Sequence, residues 1–278
     1  MSPAILHRVT APDGLELAVH VWGEGPPVLI LHGFPDDHSI WRHQIGALVS
    51  AGYKVIAPDN RGCGESAIAP TESAYKANRL VDDVLAVMDH FGISACPLIG
   101  HDWGAVIGWQ AVLTAPQRFT RFAAFSVGHP ACYAGAPLRQ KLMAWYILFF
   151  QLRGFAEWVL RAGNWRLLRG FDRSQEAENW ISKLSRPGRL TAALSIYRAN
   201  FGLLLRRDWP PVQVPVFGIW SDGDVALCRE QMTRSQAYAP RGWQYAELPG
   251  ASHWLQLDRP GEVNNLIRSF LEEWQPAA

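Results

Sequence analysis

The stretch LIGHDWGAVIGW, residues 98–109, sets a carboxylate between two glycines where an apolar strand gives way to an apolar helix. A Gly-x-Asp-x-Gly turn by itself is ordinary turn chemistry. With a strand before it and a helix after it, the turn has the setting of a nucleophile elbow, a strained corner whose neighbours must be small. Gly100 and Gly104 supply that, and the residue at the tip is Asp102. A serine there would need a base to activate it. An aspartate near its ordinary pKa is already an anion at pH 7. It can attack a saturated carbon that bears a good leaving group, and the product is an ester on the protein.

Three further pieces complete such a site. In LHGFP, the loop after an earlier strand, Phe34 offers a backbone N–H that would pair with the N–H of Trp103 as an oxyanion hole. GIWSDGDVAL carries two carboxylates, Asp222 and Asp224, on a loop after a buried strand. LPGASHWLQLDRP places His253 on a loop before the last helix. A histidine oriented by either carboxylate would take a proton from water, and the hydroxide would attack the ester carbonyl.

The elements that position these residues follow from periodicity. LELAVHVW (15–22) alternates and reads as an antiparallel strand, while PPVLILHGF and YKVIAPD are short continuous apolar runs, expected of strands buried on both faces. Trp41, Ile45, Leu48 and Val49 share one helical face. Leu80, Val84, Val87, Met88 and Phe91 share another, which stops at Gly92. CPLIGH reads as a strand, a helix runs from about Trp103 to Thr114, and RFAAFSV (121–127) is another strand. Gly108 lets that helix lie close to the sheet. From about 130 to 209 the pattern is helical only and rich in Trp, Arg and Leu. Alternation resumes with VPVFGIW, CREQMTRSQAYA, WQYAELPG and a last helix striped by Val263, Leu266, Ile267, Phe270, Leu271 and Trp274. Strand-helix alternation predicts a mostly parallel sheet covered by helices. The helical insertion then lies at the carboxyl ends of the strands, as a lid over an apolar pocket.

Composition excludes other classes. The 278 residues are 49% hydrophobic and 18% charged, enough for a sizeable core. A net charge of +1 gives no electrostatic reason to expect nucleic acid or an acidic membrane surface as partner. The longest apolar run, LMAWYILFF (142–150), is too short to span a bilayer, and MSPAILHRVT has no signal-peptide pattern. Cys63, Cys96, Cys132 and Cys228 lack metal-ligand spacing and read as small apolar residues in a reducing compartment. A soluble cytoplasmic protein, monomer or homodimer, is expected.

The chain resembles the α/β-hydrolase superfamily over nearly its whole length. HGFPDDHSIWRHQ, DNRGCGES and GHDWGA are similar to the epoxide hydrolase branch, with haloalkane dehalogenases the nearest relatives. The resemblance implies a core formed by residues 1–129 and 210–278 and a helical cap at 130–209. It implies Asp102 as nucleophile and His253 as base, and it points to Asp224, five residues after the Ile of GIW, as the orienting acid. The two cap tyrosines of that branch match Tyr146 in WYILFFQLRG and Tyr197 in SIYRANF, where they would donate to the opening epoxide oxygen. Substrate contacts are expected from Phe34, Trp103, Phe149 and Phe150. The implied substrates are a small apolar epoxide and water, with no metal and no organic cofactor. A dehalogenase would share Asp102, His253 and Asp224 but often has Asn where Phe34 stands. A fluoroacetate dehalogenase would carry Arg in place of Trp103. A serine esterase lacks its serine here, and a non-catalytic binding homologue would be expected to have lost a triad member. Two departures stand out: Ser252 replaces a frequent Gly before the histidine, and the cap is short.

Overall fold

A computed structural model describes residues 3–171 and 176–272. Trp274 lies outside the described residues.

Eight strands form one sheet: β1 (Ile5–Thr10), β2 (Glu16–Trp22), β3 (Pro27–Leu31), β4 (Lys54–Pro58), β5 (Cys96–His101), β6 (Phe119–Phe125), β7 (Val216–Ser221) and β8 (Trp243–Leu248). Their order is β1-β2-β4-β3-β5-β6-β7-β8. β2 runs antiparallel to both neighbours and every other pairing is parallel. The central strands are runs of Val, Ile, Leu and Ala whose side chains are almost wholly buried, because helices cover both faces.

β3 lies between β4 and β5, so the chain leaves β3 toward one edge and returns on its other side. The carboxyl ends of β3 and β5 therefore flank a topological switch point, where open α/β sheets bind ligands. Register keeps those ends level: Leu31 pairs with Gly100, and His101 pairs with Phe125. The helix Trp103–Thr114 starts directly beyond β5. A Cβ on Gly108 would come within 2.4 Å of the Phe122 ring, so glycine is what lets this helix lie on the sheet.

Between β6 and β7 the described residues are helical and contain no strand. Beyond residue 136 this segment forms the separate helices Leu138–Met143, Trp145–Phe150 and Phe155–Phe171. The last of these is itself interrupted by left-handed backbone at Gly163, Asn164 and Trp165. β2 is buried on both faces, not one as its alternation suggests, because the segment after β4 folds over it: Ser66 Oγ accepts from the Ala18 N–H at 2.9 Å. β1 carries no strong pattern and is mostly exposed, held by its ladder with β2. No described helix is long and apolar enough to cross a membrane. All four cysteines are free; Cys96, Cys132 and Cys228 are buried and Cys63 is half-buried.

Candidate active site

Asp102 sits at φ 52° and ψ −121°, a left-handed conformation that costs an ordinary residue of order 1–3 kcal/mol. Its surroundings hold it there. A Cβ on Gly104 would approach the Leu31 carbonyl oxygen to 2.2 Å, and one on Gly100 would approach the Gly104 carbonyl oxygen to 2.4 Å. The turn closes only because both positions are glycine. Gly33 is equally constrained, since a Cβ there would meet Asp102 Oδ1 at 2.4 Å.

The two carboxylate oxygens of Asp102 face different partners. Oδ1 accepts from the Phe34 N–H at 2.7 Å. Oδ2 lies 3.6 Å from His253 Nε2. Trp103 opens the helix, so its N–H is among those left without an intrahelical acceptor. His253 Nδ1 donates to Asp224 Oδ2 at 2.7 Å, and Asp224 Oδ1 accepts from the N–H groups of Ala226 and Leu227 at 2.8 and 2.9 Å. Asp222 points elsewhere: its carboxylate accepts from the Gly250 N–H on the exposed side of the loop. Asp102, His253 and Asp224 are thus brought together, and Asp222 is not.

Burial alone would lower the His253 pKa, but the charge of Asp224, the hydrogen bond to it and the nearby Asp102 carboxylate carry it up to about 10. Burial likewise pushes the Asp102 carboxyl up, and its ion pair with the nearby His253, the charge of His101 and the Phe34 N–H together bring it below the ordinary carboxylate range. Both shifts favour a protonated His253 beside the Asp102 carboxylate in the resting site. Esterification of Asp102 would remove one of the two anions that hold the proton on His253. The histidine would then be a better base in the ester than in the resting protein.

Tyr146 and Tyr197 come from two cap helices, Trp145–Phe150 and Arg189–Ala199. Their rings meet edge to face with centroids 6.0 Å apart. Tyr197 also touches Phe34 at 5.4 Å and Trp103 at 5.0 Å, directly over the elbow. Burial, then nearby anions and tyrosines, raise both phenols well above their ordinary pKa, so they stay protonated donors.

Two apolar cavities meet at Asp102, Tyr146 and Tyr197, as two arms of one site. One runs along the elbow helix past Trp103, Val106 and Gln110 to Phe201 and Leu204. The other passes Phe34, Phe150 and His253 to Trp145 and Phe171. Phe149 lines neither; one position further round its helix, it packs against Trp145 and Phe155 instead.

Some contributing residues carried no clear sequence signal. The buried Asp36 carboxylate accepts from the indole N–H groups of Trp180 in the cap at 2.7 Å and Trp254, next to His253, at 2.9 Å. Burial pushes its carboxyl up to about 7. His101 Nε2 donates to the His253 carbonyl at 2.9 Å and props that loop from below. The Gln110 amide nitrogen is buried in the first arm with no protein partner among the described residues. A lone amide in the apolar helix WGAVIGWQAVLT was a visible hint for Gln110. Among the described residues, the one group whose ligand atoms lie close enough for a metal is His20, His38 and Asp59. Asp59 there already accepts from the His38 N–H and ring, the His20 ring and the Glu65 N–H, which fills its acceptor capacity.

A family model described as alpha/beta hydrolase fold matches residues 26–166. Epoxide hydrolase A of Mycobacterium tuberculosis is 33% identical, over 95% of this chain and 96% of its own. Epoxide hydrolase 4 of Homo sapiens is 32% identical, over 89% of this chain and 73% of its own. The crystal structure of epoxide hydrolase A from Mycobacterium thermoresistibile superposes with a TM-score of 0.83 at 28% identity, covering 99% of this chain and all of that one.

Proposed function

The chain belongs to the epoxide hydrolase branch of the α/β-hydrolase family, and we propose that it converts an apolar epoxide to a vicinal diol through a covalent ester on Asp102. The observation that carries this reading is the pairing of a carboxylate at the elbow with two buried phenols above it. A carboxylate attacks saturated carbon, and phenol donors serve a leaving oxygen that stays attached to the substrate.

In the first step Asp102 attacks a ring carbon in line with the breaking C–O bond. Tyr146 and Tyr197 donate to the developing alkoxide, an assistance typically worth roughly a hundredfold to ten-thousandfold. In the second step His253, oriented by Asp224, takes a proton from water, and the hydroxide attacks the Asp102 carbonyl carbon. The oxyanion is met by the N–H groups of Phe34 and Trp103, each such donor costing of order 3 kcal/mol to remove in comparable sites. Collapse releases the diol and restores the carboxylate. The resting chain's own residues account for both steps.

The test is an intact-mass spectrum of His253→Gln after exposure to apolar epoxides and haloalkanes. A gain equal to a whole epoxide, absent in Asp102→Ala, is the expected result. A gain equal to a haloalkane less hydrogen halide, without any epoxide adduct, would make the chain a dehalogenase.

A further inference from the structure

The cap presents an apolar surface that the reaction does not need. Leu142, Trp145, Leu148, Leu152, Phe155 and Trp158 recur every three or four residues and are each 47–67% exposed. The aromatic members of this surface adjoin one another: Trp145 touches Phe149, Phe149 touches Phe155, and Phe155 touches Trp158, with ring centroids 5.8–6.5 Å apart. Exposed apolar surface of this extent marks an interaction site.

The charges of these cap helices that form no ion pair with described residues are basic, whereas Arg153 pairs with Glu72 at the edge of the patch and Arg169 pairs with Glu178. Between residues 136 and 171 the chain carries Arg139, Lys141, Arg153, Arg161, Arg166 and Arg169, and its one acid there, Glu157, is buried against Arg198. Arg139, Lys141, Arg161 and Arg166 are exposed and form no ion pair with other described residues. Arg153 and Arg161 share a groove with Trp158. The whole-chain charge of +1 averages over this asymmetry and conceals it.

We propose that this face of the cap docks on an anionic bilayer surface, with Trp158, Phe155 and the leucines in the acyl boundary and the basic side chains among the headgroups. Aromatic and leucine side chains flanked by Lys and Arg are the composition of interfacial docking surfaces. A second copy of the chain fits less well, because a two-fold contact would bring two basic faces together. Trp145 belongs both to the patch and to the lining of the second arm. The docked face therefore lies at a mouth of the site, where an apolar substrate dissolved in the lipid would enter. The docking itself stands whatever that substrate is.

Co-sedimentation of the full chain with vesicles tests it. Binding is expected to vesicles of phosphatidylcholine with about one third phosphatidylserine, and to fall at least tenfold on pure phosphatidylcholine or in 0.5 M salt. Leu152→Ser with Trp158→Ser, and separately Arg139→Glu with Lys141→Glu and Arg161→Glu, should each lose at least tenfold in partitioning. Both variants should keep wild-type turnover of a water-soluble epoxide or, failing turnover of any epoxide, the wild-type melting temperature. Wild-type chain that stays in the supernatant with both vesicle types would overturn the proposal. So would a dimer, seen by light scattering, that the Leu152/Trp158 variant dissociates while vesicle binding is unchanged.

Discussion

The Phe34 N–H donates to Asp102 Oδ1 at 2.7 Å, while Asp102 Oδ2 faces His253 Nε2 at 3.6 Å. The bond holds Oδ1 where an ester carbonyl oxygen would sit, which leaves Oδ2 to attack. In the proposed second step the hydroxide would add at the carbon between them. In a single turnover in oxygen-18 water the diol should therefore carry the original Asp102 oxygen, and the label should appear in the peptide containing Asp102. Label found directly in the first diol would mean that water, not Asp102, attacks the epoxide.

Asp224 and Asp222 are two residues apart but do different work. Asp224 raises the His253 pKa by charge and hydrogen bond, whereas Asp222 accepts from Gly250. Asp224→Asn should lower the imidazole titration from about 10 and slow ester hydrolysis more than ester formation; Asp222→Asn should change neither. NMR of the ring protons and rapid-quench kinetics read the two effects. The same shift sets a stability trend. The folded state holds the His253 proton above its ordinary pKa of 6.5, so this stabilisation is complete below that value and is lost as the pH rises through about 10. The melting temperature should fall more between pH 7 and 10 in the wild type than in His253→Gln. Parallel profiles would show that the histidine contributes nothing to that fall.

The two tyrosines stand on separate cap helices, and the proposed mechanism has both donate to one oxygen. Either Tyr146→Phe or Tyr197→Phe removes one donor and leaves the other, so each should slow epoxide opening by about tenfold or more, and the double change should approach the full ten-thousandfold end of acid assistance. Pre-steady-state ester formation is the measurement, since steady-state rates also contain hydrolysis. Normal ester formation in the double variant would remove both from the chemistry.

How far the sequence could be read depended on the range of the contact. Asp102, its glycines and the helix Trp103–Thr114 were legible because the elbow is local, built from residues within a few positions of one another. β3 and β5 were legible because continuous apolar runs signal strands buried on both faces. Asp36 was not, because its partners Trp180 and Trp254 lie 144 and 218 positions away. Phe149 and Phe150 could not be told apart by type; only the rotation of the helix puts one in the arm and the other outside. Of the breaks in 136–165, the one at Ala144 has no glycine or proline to announce it, whereas Gly154 and Gly163 mark the later two. The choice between Asp222 and Asp224 came from the family resemblance rather than from the loop's own residues.

Gln110 predicts the shape of a good substrate. It lies seven residues along the helix from Trp103, about 10 Å at 1.5 Å per residue. Its amide nitrogen is buried without a protein partner among the described residues, in a mostly apolar arm. The other side-chain amide there, Asn200, spends its nitrogen on the Tyr75 and Ile196 carbonyls and its oxygen on the Ala77 N–H. No Lys or Arg lines the arm, so a neutral acceptor fits better than a carboxylate. An epoxide bearing an ether or carbonyl oxygen about 10 Å from the ring should be preferred over its all-carbon isostere by about tenfold in kcat/KM, the scale of one buried hydrogen bond. Gln110→Leu should erase that preference by slowing the oxygen-bearing substrate while leaving the isostere at its wild-type rate. An unchanged ratio in the variant would show that Gln110 does not read the substrate, and equal loss on both would make its role one of packing.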